Sequence, residues 1–384
     1  LSHVQENIDT IIIKSKTKIK HKYLKHVIDD VNNLSIDKNF ESFIERKKQR
    51  MVSKYYFIKK KPLVDIGILS GQKIGMIIDL VPDFNNFFSG VFGGSKLYGN
   101  DWNLNGEVDS RFENLWGAME RITFKWKNID STNQSFKISL YRPHLLITGV
   151  GLKGEYNYQI VNNYFTETQF GIDIEFFNNY YGSFYVGYKQ GDITSTEQGL
   201  RKNYFSTNYK ALKFVFEHNS FNRVLLPDKG HKLDIEFDIG EDKLINELYV
   251  KTKLNFIGFS NFFHKINFCL KSYNDLIKPF QGKIGLSRQI SFGGVNSFRG
   301  FNDNQFKSSA LSVQSLEIHY TLDNAFKIIT FIDCGFAKDY YPKYSFGFGL
   351  SKISKTALID VQYAVPLGSA IQNGKVHLKW VTRL

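Results

Sequence analysis

Apolar and polar residues alternate with a period of two in many short segments between Pro82 and the C-terminus. In 121–127 and 232–239, large apolar residues occupy every second position, and polar or charged residues occupy the others. Because successive side chains of a β-strand point to opposite faces, each segment has one apolar and one polar face. The pattern predicts about sixteen strands, at 85–94, 101–111, 120–128, 135–145, 149–160, 166–178, 182–192, 204–219, 231–242, 247–258, 265–276, 310–322, 326–337, 343–352, 356–366 and 374–384.

The lengths of these segments favour strands that cross a membrane. Most have about 9–13 residues, as a tilted strand in a bilayer requires. We expect tight connections at 322–325 and 354–356 and longer ones at 129–134, 193–203 and 278–309. A soluble β-sandwich also alternates, but about sixteen strands would need two or three domains, and no linkers separate them. The pattern therefore favours a closed transmembrane antiparallel β-barrel, which has no free strand edge.

Residues 9–82 follow a mixed pattern that predicts a small α/β module. The predicted order is β-α-α-β-β, with strands at Thr10–Lys20, Tyr55–Ile68 and Lys73–Val81 and helices at His21–Val31 and around Phe40, Phe43 and Ile44. We therefore divide the chain into this module, 9–82, and a barrel, 83–384. The chain begins with Leu1 and shows no apolar leader, so we expect it to be a processed form.

Composition limits the possible classes of function. Aromatic residues make up 16% of the 384 residues, which excludes a disordered chain. No run approaches the roughly 20 apolar residues of a membrane-spanning helix. The net charge of +13 suits nucleic acid, an anionic membrane surface or a polar barrel lumen. Nucleic acid is disfavoured, because the cations follow the strand alternation and not a single groove-binding element.

Signals of catalysis are weak. Gly347-Phe348-Gly349 contains a Gly-x-Gly pattern, but it lies in an alternating strand and not before a helix. Cys269 and Cys334 are too few for a disulfide framework or a zinc site, and the nine histidines lack metal-binding spacing. No Ser-His-Asp arrangement stands out. We expect a protein that is not an enzyme and that has no metal or cofactor.

The most specific local feature is an arginine between aromatic residues, in the run Phe298-Arg299-Gly300-Phe301 of the long connection 278–309. An arginine buried in a barrel lumen needs carboxylate partners. Glu317 and Asp333 follow as lone carboxylates in two apolar strands. These two residues are therefore the candidate partners of Arg299.

These residues resemble the BamA/TamA superfamily of outer-membrane assembly and translocation barrels. Members carry POTRA modules of order β-α-α-β-β before a sixteen-stranded barrel, and the Arg-Gly-aromatic tip of their sixth extracellular loop enters the lumen. There the arginine meets acidic residues on the next two strands. Further matches lie at 113–117, 141–143 and 226–230. The resemblance implies a loop-6 latch, which fixes one conformation of the loop, formed by Phe298, Arg299, Gly300, Phe301, Glu317 and Asp333.

The resemblance also implies a weak lateral seam between the first and last barrel strands. Gly90, Gly93 and Gly94 weaken a strand and suit labile pairing. Glycines also accommodate barrel curvature, and that interpretation stays open. The implied seam residues are Phe88, Gly90, Phe92, Gly374, Val376, Leu378 and Trp380.

The function implied by the resemblance is insertion of β-barrel proteins into the outer membrane, or movement of proteins across it, without covalent catalysis. The implied partners are unfolded outer-membrane or secreted client proteins, the lipid bilayer and accessory subunits of an assembly complex, but no nucleic acid. One alternative is a plugged secretion pore for a dedicated substrate. Another is a structural accessory barrel in a larger outer-membrane complex.

The chain departs from the family pattern in two respects. It has one POTRA-like module where bacterial insertases usually have several, and its last residue, Leu384, is not aromatic. Its composition is similar to that of short members from Bacteroidota, which implies a Gram-negative outer membrane with the module in the periplasm. A single module is also similar to the mitochondrial sorting and assembly barrel, so the mitochondrial outer membrane is the alternative location.

Overall fold

The structure, a computed structural model, contains a small N-terminal module and a closed β-barrel. It describes residues 6–20, 22–24, 35–36, 40–55, 57–58, 60–71, 73–96, 102–130, 132–145, 150–179, 181–223, 226–263, 265–294, 297–302, 304–323, 325–354 and 357–383. The predicted helix at 21–31 lies outside these ranges except at 22–24, which are helical. Within them, no helix is long and apolar enough to cross a membrane.

The described part of the N-terminal module is a mixed sheet with a helix packed on it. Its elements are β1 (Glu6–Asn7), β2 (Thr10–Ser15), β3 (Ser35–Ile36), the helix Phe40–Lys54, β4 (Leu63–Leu69) and β5 (Lys73–Leu80). β5 is the central strand of the sheet, parallel to β2 and antiparallel to β4. Met76, Ile78 and Leu80 alternate along β5, so they face one side and share a core with Ile44 and Met51 of the helix.

Two strands of the module are shorter than predicted. The predicted strand 10–20 ends at Ser15, and the predicted strand 55–68 begins only at Leu63. Ile19 and Phe57, which fall outside the observed strands, are buried in the module core. Their apolar side chains are therefore explained by core packing from connecting segments.

The module is attached to the barrel through a shared core. Ala118 and Met119 lie in the turn 114–120 after the second barrel strand, and both are buried in the module core. The Lys20 N–H donates to the Gly117 carbonyl oxygen at 2.8 Å. Gly117 has a φ of +68°, and a Cβ there would lie 3.3 Å from the Lys18 carbonyl oxygen. A side chain at this position would strain the backbone and crowd the Lys18 carbonyl oxygen.

Sixteen strands close into an antiparallel barrel, in which the last strand returns to pair with the first. The predicted mainly β fold with a sixteen-stranded antiparallel barrel is confirmed, and the predicted bounds differ only at strand ends. The strands are β6 (Phe87–Lys96), β7 (Trp102–Glu113), β8 (Arg121–Asp130), β9 (Asn133–Leu145), β10 (Val150–Val161), β11 (Phe165–Asn179), β12 (Gly182–Ser195), β13 (Thr207–Asn219), β14 (Gly230–Asp242), β15 (Glu247–Phe263), β16 (Ile266–Pro279), β19 (Ala310–Asp323), β20 (Phe326–Ala337), β21 (Tyr340–Ser354), β22 (Ala357–Pro366) and β23 (Lys375–Arg383).

The two faces of each strand have different chemistry. In β20, Phe331 and Asp333 are buried on the lumen side, whereas Ile332 is 59% exposed on the outer surface. Charged residues on the lumen side pair with one another across strands. The Lys213 Nζ lies 2.7 Å from Asp173 Oδ2 and 3.6 Å from Glu155 Oε2. Much of the charge therefore belongs to a polar lumen and not to a nucleic-acid surface.

The barrel has a near end, which meets the module, and an opposite far end. Loop 6, residues 280–309, lies at the far end and contains β17 (Ile290–Phe292) and β18 (Phe306–Ser308). The expected long connection at 129–134 is wrong, because Asp130 and Asn133 pair and close a tight hairpin. The near end instead has a long turn at 220–229, so long connections occur at both ends.

Candidate functional site

Arg299 at the tip of loop 6 lies in the lumen against both predicted carboxylates. Its Nε and Nη2 donate to Asp333 Oδ2 and Oδ1 at 2.8 and 2.5 Å, a two-pronged arrangement suited to guanidinium and carboxylate. Its Nη1 lies 2.7 Å from Glu317 Oε1. Burial opposes the charge of Arg299, but Asp333 and Glu317 outweigh this effect and raise the pKa of the guanidinium above its usual value.

Several latch contacts come from residues that the sequence did not indicate. The Arg299 Nη2 also donates to Ser315 Oγ at 2.5 Å, and its Nη1 donates to Gln362 Oε1 at 3.1 Å. The Ser345 hydroxyl donates to the Arg299 carbonyl oxygen at 2.7 Å. The guanidinium carbon lies 3.5 Å from the ring centroid of Phe331. The latch therefore reaches β19, β20, β21 and β22, the last of which adjoins the seam strand β23.

The neighbours of Arg299 in loop 6 fit closely against the barrel wall. Phe298 is 1% exposed and covers Gly335, where a Cβ would lie 2.5 Å from the phenyl ring. Gly300 has a φ of +86°, which favours glycine, and a Cβ there would lie 3.1 Å from Ser345 Cβ. Phe301 packs on Phe298 with ring centroids 4.4 Å apart. Each member of the predicted run thus occupies a defined place in the lumen.

Loop 6 has two further cationic anchors, one on the strands β13 and β14 and one on the connection between β12 and β13. The guanidinium carbon of Arg288 lies 3.4 Å from the ring centroid of Tyr209, and its Nε donates to Asp242 Oδ2 at 3.0 Å. The Nζ of Lys307 lies 4.4 Å from the ring centroid of Tyr204 and has no hydrogen-bond partner among the described residues. Burial lowers the pKa of Lys307 to about 8. These anchors hold loop 6 across the far end of the lumen.

The seam between β23 and β6 is short. Four residue pairs join the two strands, from Trp380 opposite Gly90 to Arg383 opposite Phe87. By contrast, β23 makes eight pairs with β22, and β6 makes ten with β7. The described pairs with β6 begin at Trp380, so they involve only the last part of β23. The described pairing of the two strands therefore lies in the half of the seam toward the near end.

The predicted seam residues lie in different places. Phe88 and Trp380 face each other across the paired half, with ring centroids 6.4 Å apart, and Gly90 pairs with Trp380. Val376 and Leu378 pair only with β22. Gly374 precedes β23 and lies against the Tyr363 ring, and Phe92 pairs through its backbone with Gly106 of β7. The structure thus brings together three of the seven residues.

The sequence of the barrel matches a known family. Residues 99–381 match the model of the Omp85 superfamily domain. The chain belongs to the Omp85 superfamily. It is therefore an outer-membrane β-barrel of the class that inserts or secretes proteins. No curated protein sequence matches this Omp85 chain.

Solved structures of other proteins have a similar fold. BamA from Haemophilus ducreyi lacking POTRA domains 1–3 is 15% identical, with a TM-score of 0.63 over 97% of this chain and 83% of that one. CdiB from Acinetobacter baumannii is 12% identical, with a TM-score of 0.64 over 99% of this chain and 74% of that one. CdiB from Escherichia coli is 11% identical, with a TM-score of 0.57 over 99% and 91%. These similarities establish the fold.

In this Omp85 barrel, the turn 220–229 covers the near end of the lumen. Phe221 of the turn packs on the lumen residue Phe259, with ring centroids 5.6 Å apart. The Nζ of Lys327 in β20 donates to the carbonyl oxygens of Leu226 and Pro227 at 3.3 and 2.9 Å. Lys327 is 2% exposed, so the turn shields it from solvent. Loop 6 and this turn therefore lie over the lumen at opposite ends.

We expect Lys327→Met to open the near end. A hydrogen bond from a charged group stabilises a contact by about 1.5–3 kcal/mol. The fraction of molecules in which the turn 220–229 has moved away from the lumen should therefore rise roughly tenfold or more. Buried Cys269 reports the change when Cys334 is first replaced by serine. The measurement is its alkylation rate by a membrane-impermeant maleimide supplied from the near side of oriented vesicles. The control is Lys253→Met, because Lys253 contacts Tyr273 and not the turn. Equal rates in both variants would contradict the prediction.

Proposed function

We propose that this protein inserts β-barrel client proteins into the outer membrane through its seam. The observation that carries the proposal is the four-pair contact between β23 and β6, beside neighbours joined by eight and ten pairs. Strand separation at the seam breaks the fewest backbone hydrogen bonds in the barrel wall. The seam is therefore the place where the wall opens at the lowest cost in free energy.

The mechanism needs no covalent step and no nucleotide. The backbone polar groups of an unfolded client strand cannot enter lipid without hydrogen-bond partners. When the four pairs of the seam separate, the edge of β23 offers such partners, and Val376, Leu378 and Trp380 on the outer face of β23 are exposed, as a lipid-facing surface requires. A client strand added at this edge would gain backbone hydrogen bonds before the rest of the client follows. Folding of the client then supplies the free energy.

We assign the N-terminal module as a POTRA module that lies in the periplasm of a Gram-negative bacterium. The mixed sheet and the helix Phe40–Lys54 support the assignment. β4 is an edge strand of this sheet, and Leu63, Ile66 and Ile68 along it are 66%, 44% and 82% exposed. An exposed apolar edge accepts an extended segment by strand addition. In this assignment, the near end of the barrel faces the periplasm and clients arrive from that side.

The test is a paired insertion and conductance assay in lipid vesicles. The purified protein is compared with a variant that lacks 295–304 of loop 6 and with a control that lacks the loop helix Glu197–Arg201. We expect the intact protein to accelerate client insertion above empty vesicles at low conductance. A conductance that rises on loop-6 deletion, with insertion never above empty vesicles, would replace the proposal by a plugged secretion pore. Inactivity in both assays would favour an accessory barrel.

A further inference from the structure

Three potential metal ligands meet inside the lumen, beneath the latch. Cys269 lies on β16 directly opposite Glu317 on β19, and His319 lies two residues further along β19. One ligand atom from each residue lies within 4.8 Å of the other two. The three residues are 0%, 1% and 5% exposed. Cys269 forms no disulfide. A thiol, a carboxylate and an imidazole are therefore held together in a closed space.

The hydrogen bonds at this cluster leave one side of Glu317 available. Its Oε1 accepts from Arg299 at 2.7 Å and from Lys271 at 2.6 Å. Its Oε2 faces His319 Nε2 at 2.7 Å and has no other hydrogen-bond partner in the part of the chain that the structure describes. The other ring nitrogen of His319, Nδ1, is buried with no hydrogen-bond partner among the described residues. The latch thus uses one carboxylate oxygen, and the second oxygen faces His319.

We propose that Cys269, Glu317 and His319 form a zinc site in the lumen. Sulfur, nitrogen and oxygen donors in this combination suit Zn²⁺, and three protein ligands leave a fourth position for water. Ligand atoms around a tetrahedral zinc ion lie about 3.3–3.5 Å apart, so Nε2 and Oε2 separate slightly and the Cys269 sulfur moves inward. The thiol loses its proton to bulk water on binding.

The charges around the cluster are compatible with a bound divalent cation. The thiolate and the Glu317 carboxylate together balance the two charges of the ion. Arg299, Lys271 and Lys327 are cations that act on the cluster. Arg299 and Lys271 remain on Oε1, Asp333 continues to hold Arg299, and Lys327 donates to the carbonyl oxygens of the turn 220–229. The ring centroids of Phe259 in β15 and His319 lie 5.5 Å apart, and Phe259 adds no charge. Lys271 is 37% exposed in its side chain, so water screens it.

Such a site would connect two elements of the barrel. The ion would link β16 to β19 and fix the orientation of Glu317 beneath Arg299. A hydrogen-bonded group next to a metal ligand commonly changes metal affinity 10–100-fold, so metal binding and the latch should influence each other. The number of cysteines and the spacing of the histidines did not indicate a zinc site. The three ligands come together only because the pairing of β16 with β19 brings one cysteine opposite a Glu-x-His segment. This inference does not depend on the proposed insertion function.

Cobalt substitution tests the site. The purified full chain is titrated with Co²⁺ in detergent, both after folding and during refolding, because the ligands are buried. We expect one ion per chain, a thiolate-to-cobalt absorption band, and displacement of Co²⁺ by Zn²⁺. Cys269→Ser should abolish the band and Cys334→Ser should leave it unchanged. His319→Gln should weaken binding by about tenfold or more.

The outcomes that overturn the site are specific. Absence of the band under both loading conditions, with the barrel shown folded by its resistance to unfolding in detergent, would exclude it. A band that persists in Cys269→Ser would place the metal elsewhere and would also overturn the proposal. Because Cys269→Ser is a near-isosteric change, it should fold. Alkylation of Cys269 provides a second readout, and Zn²⁺ should slow it in the Cys334→Ser protein.

Discussion

Replacing Arg299 with alanine is expected to destabilise the folded barrel by about 3–5 kcal/mol, the usual cost of removing one partner from a buried ion pair. Asp333 would lose both charge-assisted hydrogen bonds, and it has no other ion pair among the described residues. Glu317 would keep Lys271 and His319, so the loss should centre on Asp333. Urea unfolding in detergent and gel mobility with and without heating measure the effect. Loop 6 should also leave the lumen, which raises conductance.

The matched control for this change is Arg201→Ala, since Arg201 lies exposed in the helix Glu197–Arg201. A charge exchange provides a second test. Arg299→Glu alone should destabilise the barrel strongly, because three carboxylates would then lie together. Addition of Asp333→Arg should restore part of the stability. A loss no larger than that of the control, or no recovery in the exchanged pair, would contradict the latch.

Closing the seam covalently is expected to abolish client insertion. Ser89 and Val381 pair directly across the seam and are both buried on the lumen side, so Ser89→Cys and Val381→Cys place two sulfurs side by side. The pair Gly90 and Leu378 is unsuitable, because Gly90 lies opposite Trp380. The experiment uses a background in which Cys269 and Cys334 are replaced by serine. Oxidation should reduce insertion to the rate of empty vesicles, and reduction should restore it.

A second cross-link in the wall separates seam opening from general rigidity. Thr123 and Ser139 lie opposite each other on β8 and β9, with their hydroxyl oxygens 2.5 Å apart. Cysteines at these positions should form a disulfide without any effect on insertion. If the oxidised seam variant inserts clients as fast as its reduced form, insertion does not use the seam. If both cross-links stop insertion, the barrel needs flexibility elsewhere.

Much of the barrel could be predicted because its cause is local. A strand between lipid and lumen must alternate apolar and polar residues, so Lys232–Ile239 indicates its conformation without any knowledge of its neighbours. The same alternation identified Glu317 and Asp333 as single carboxylates within apolar strands, and therefore as candidate partners of Arg299. Prediction failed for one connection, 129–134, which forms a hairpin instead of a long loop. In the module, apolar residues of connecting segments were assigned to strands, because core packing and strand alternation both use apolar side chains.

The contacts that hold loop 6 and the turn 220–229 over the lumen could not be predicted from local alternation. Lys327 and Leu226 are 101 residues apart in the chain, and only the curvature of the barrel brings them together. Arg288, Ser315 and Gln362 are ordinary polar residues in the sequence. Arg288 contacts the barrel from loop 6, whereas Ser315 and Gln362 contact loop 6 from the barrel, and all of these contacts depend on the path of the loop through the lumen. The same holds for Cys269 and His319, whose proximity follows from the register of β16 and β19.

By itself, the sequence determined that this protein is a sixteen-stranded membrane barrel with an α/β module and an arginine in its sixth far-end loop. Period-two alternation and a compact motif are properties of residues close together in the chain, so the sequence is sufficient to recognise them. Only the tertiary structure decided that the seam has four pairs, that the turn 220–229 is held by Lys327 at the near end of the lumen, and that a thiol, a carboxylate and an imidazole meet beneath the latch. These features arise from strand register and barrel closure, which join residues that are distant in the chain.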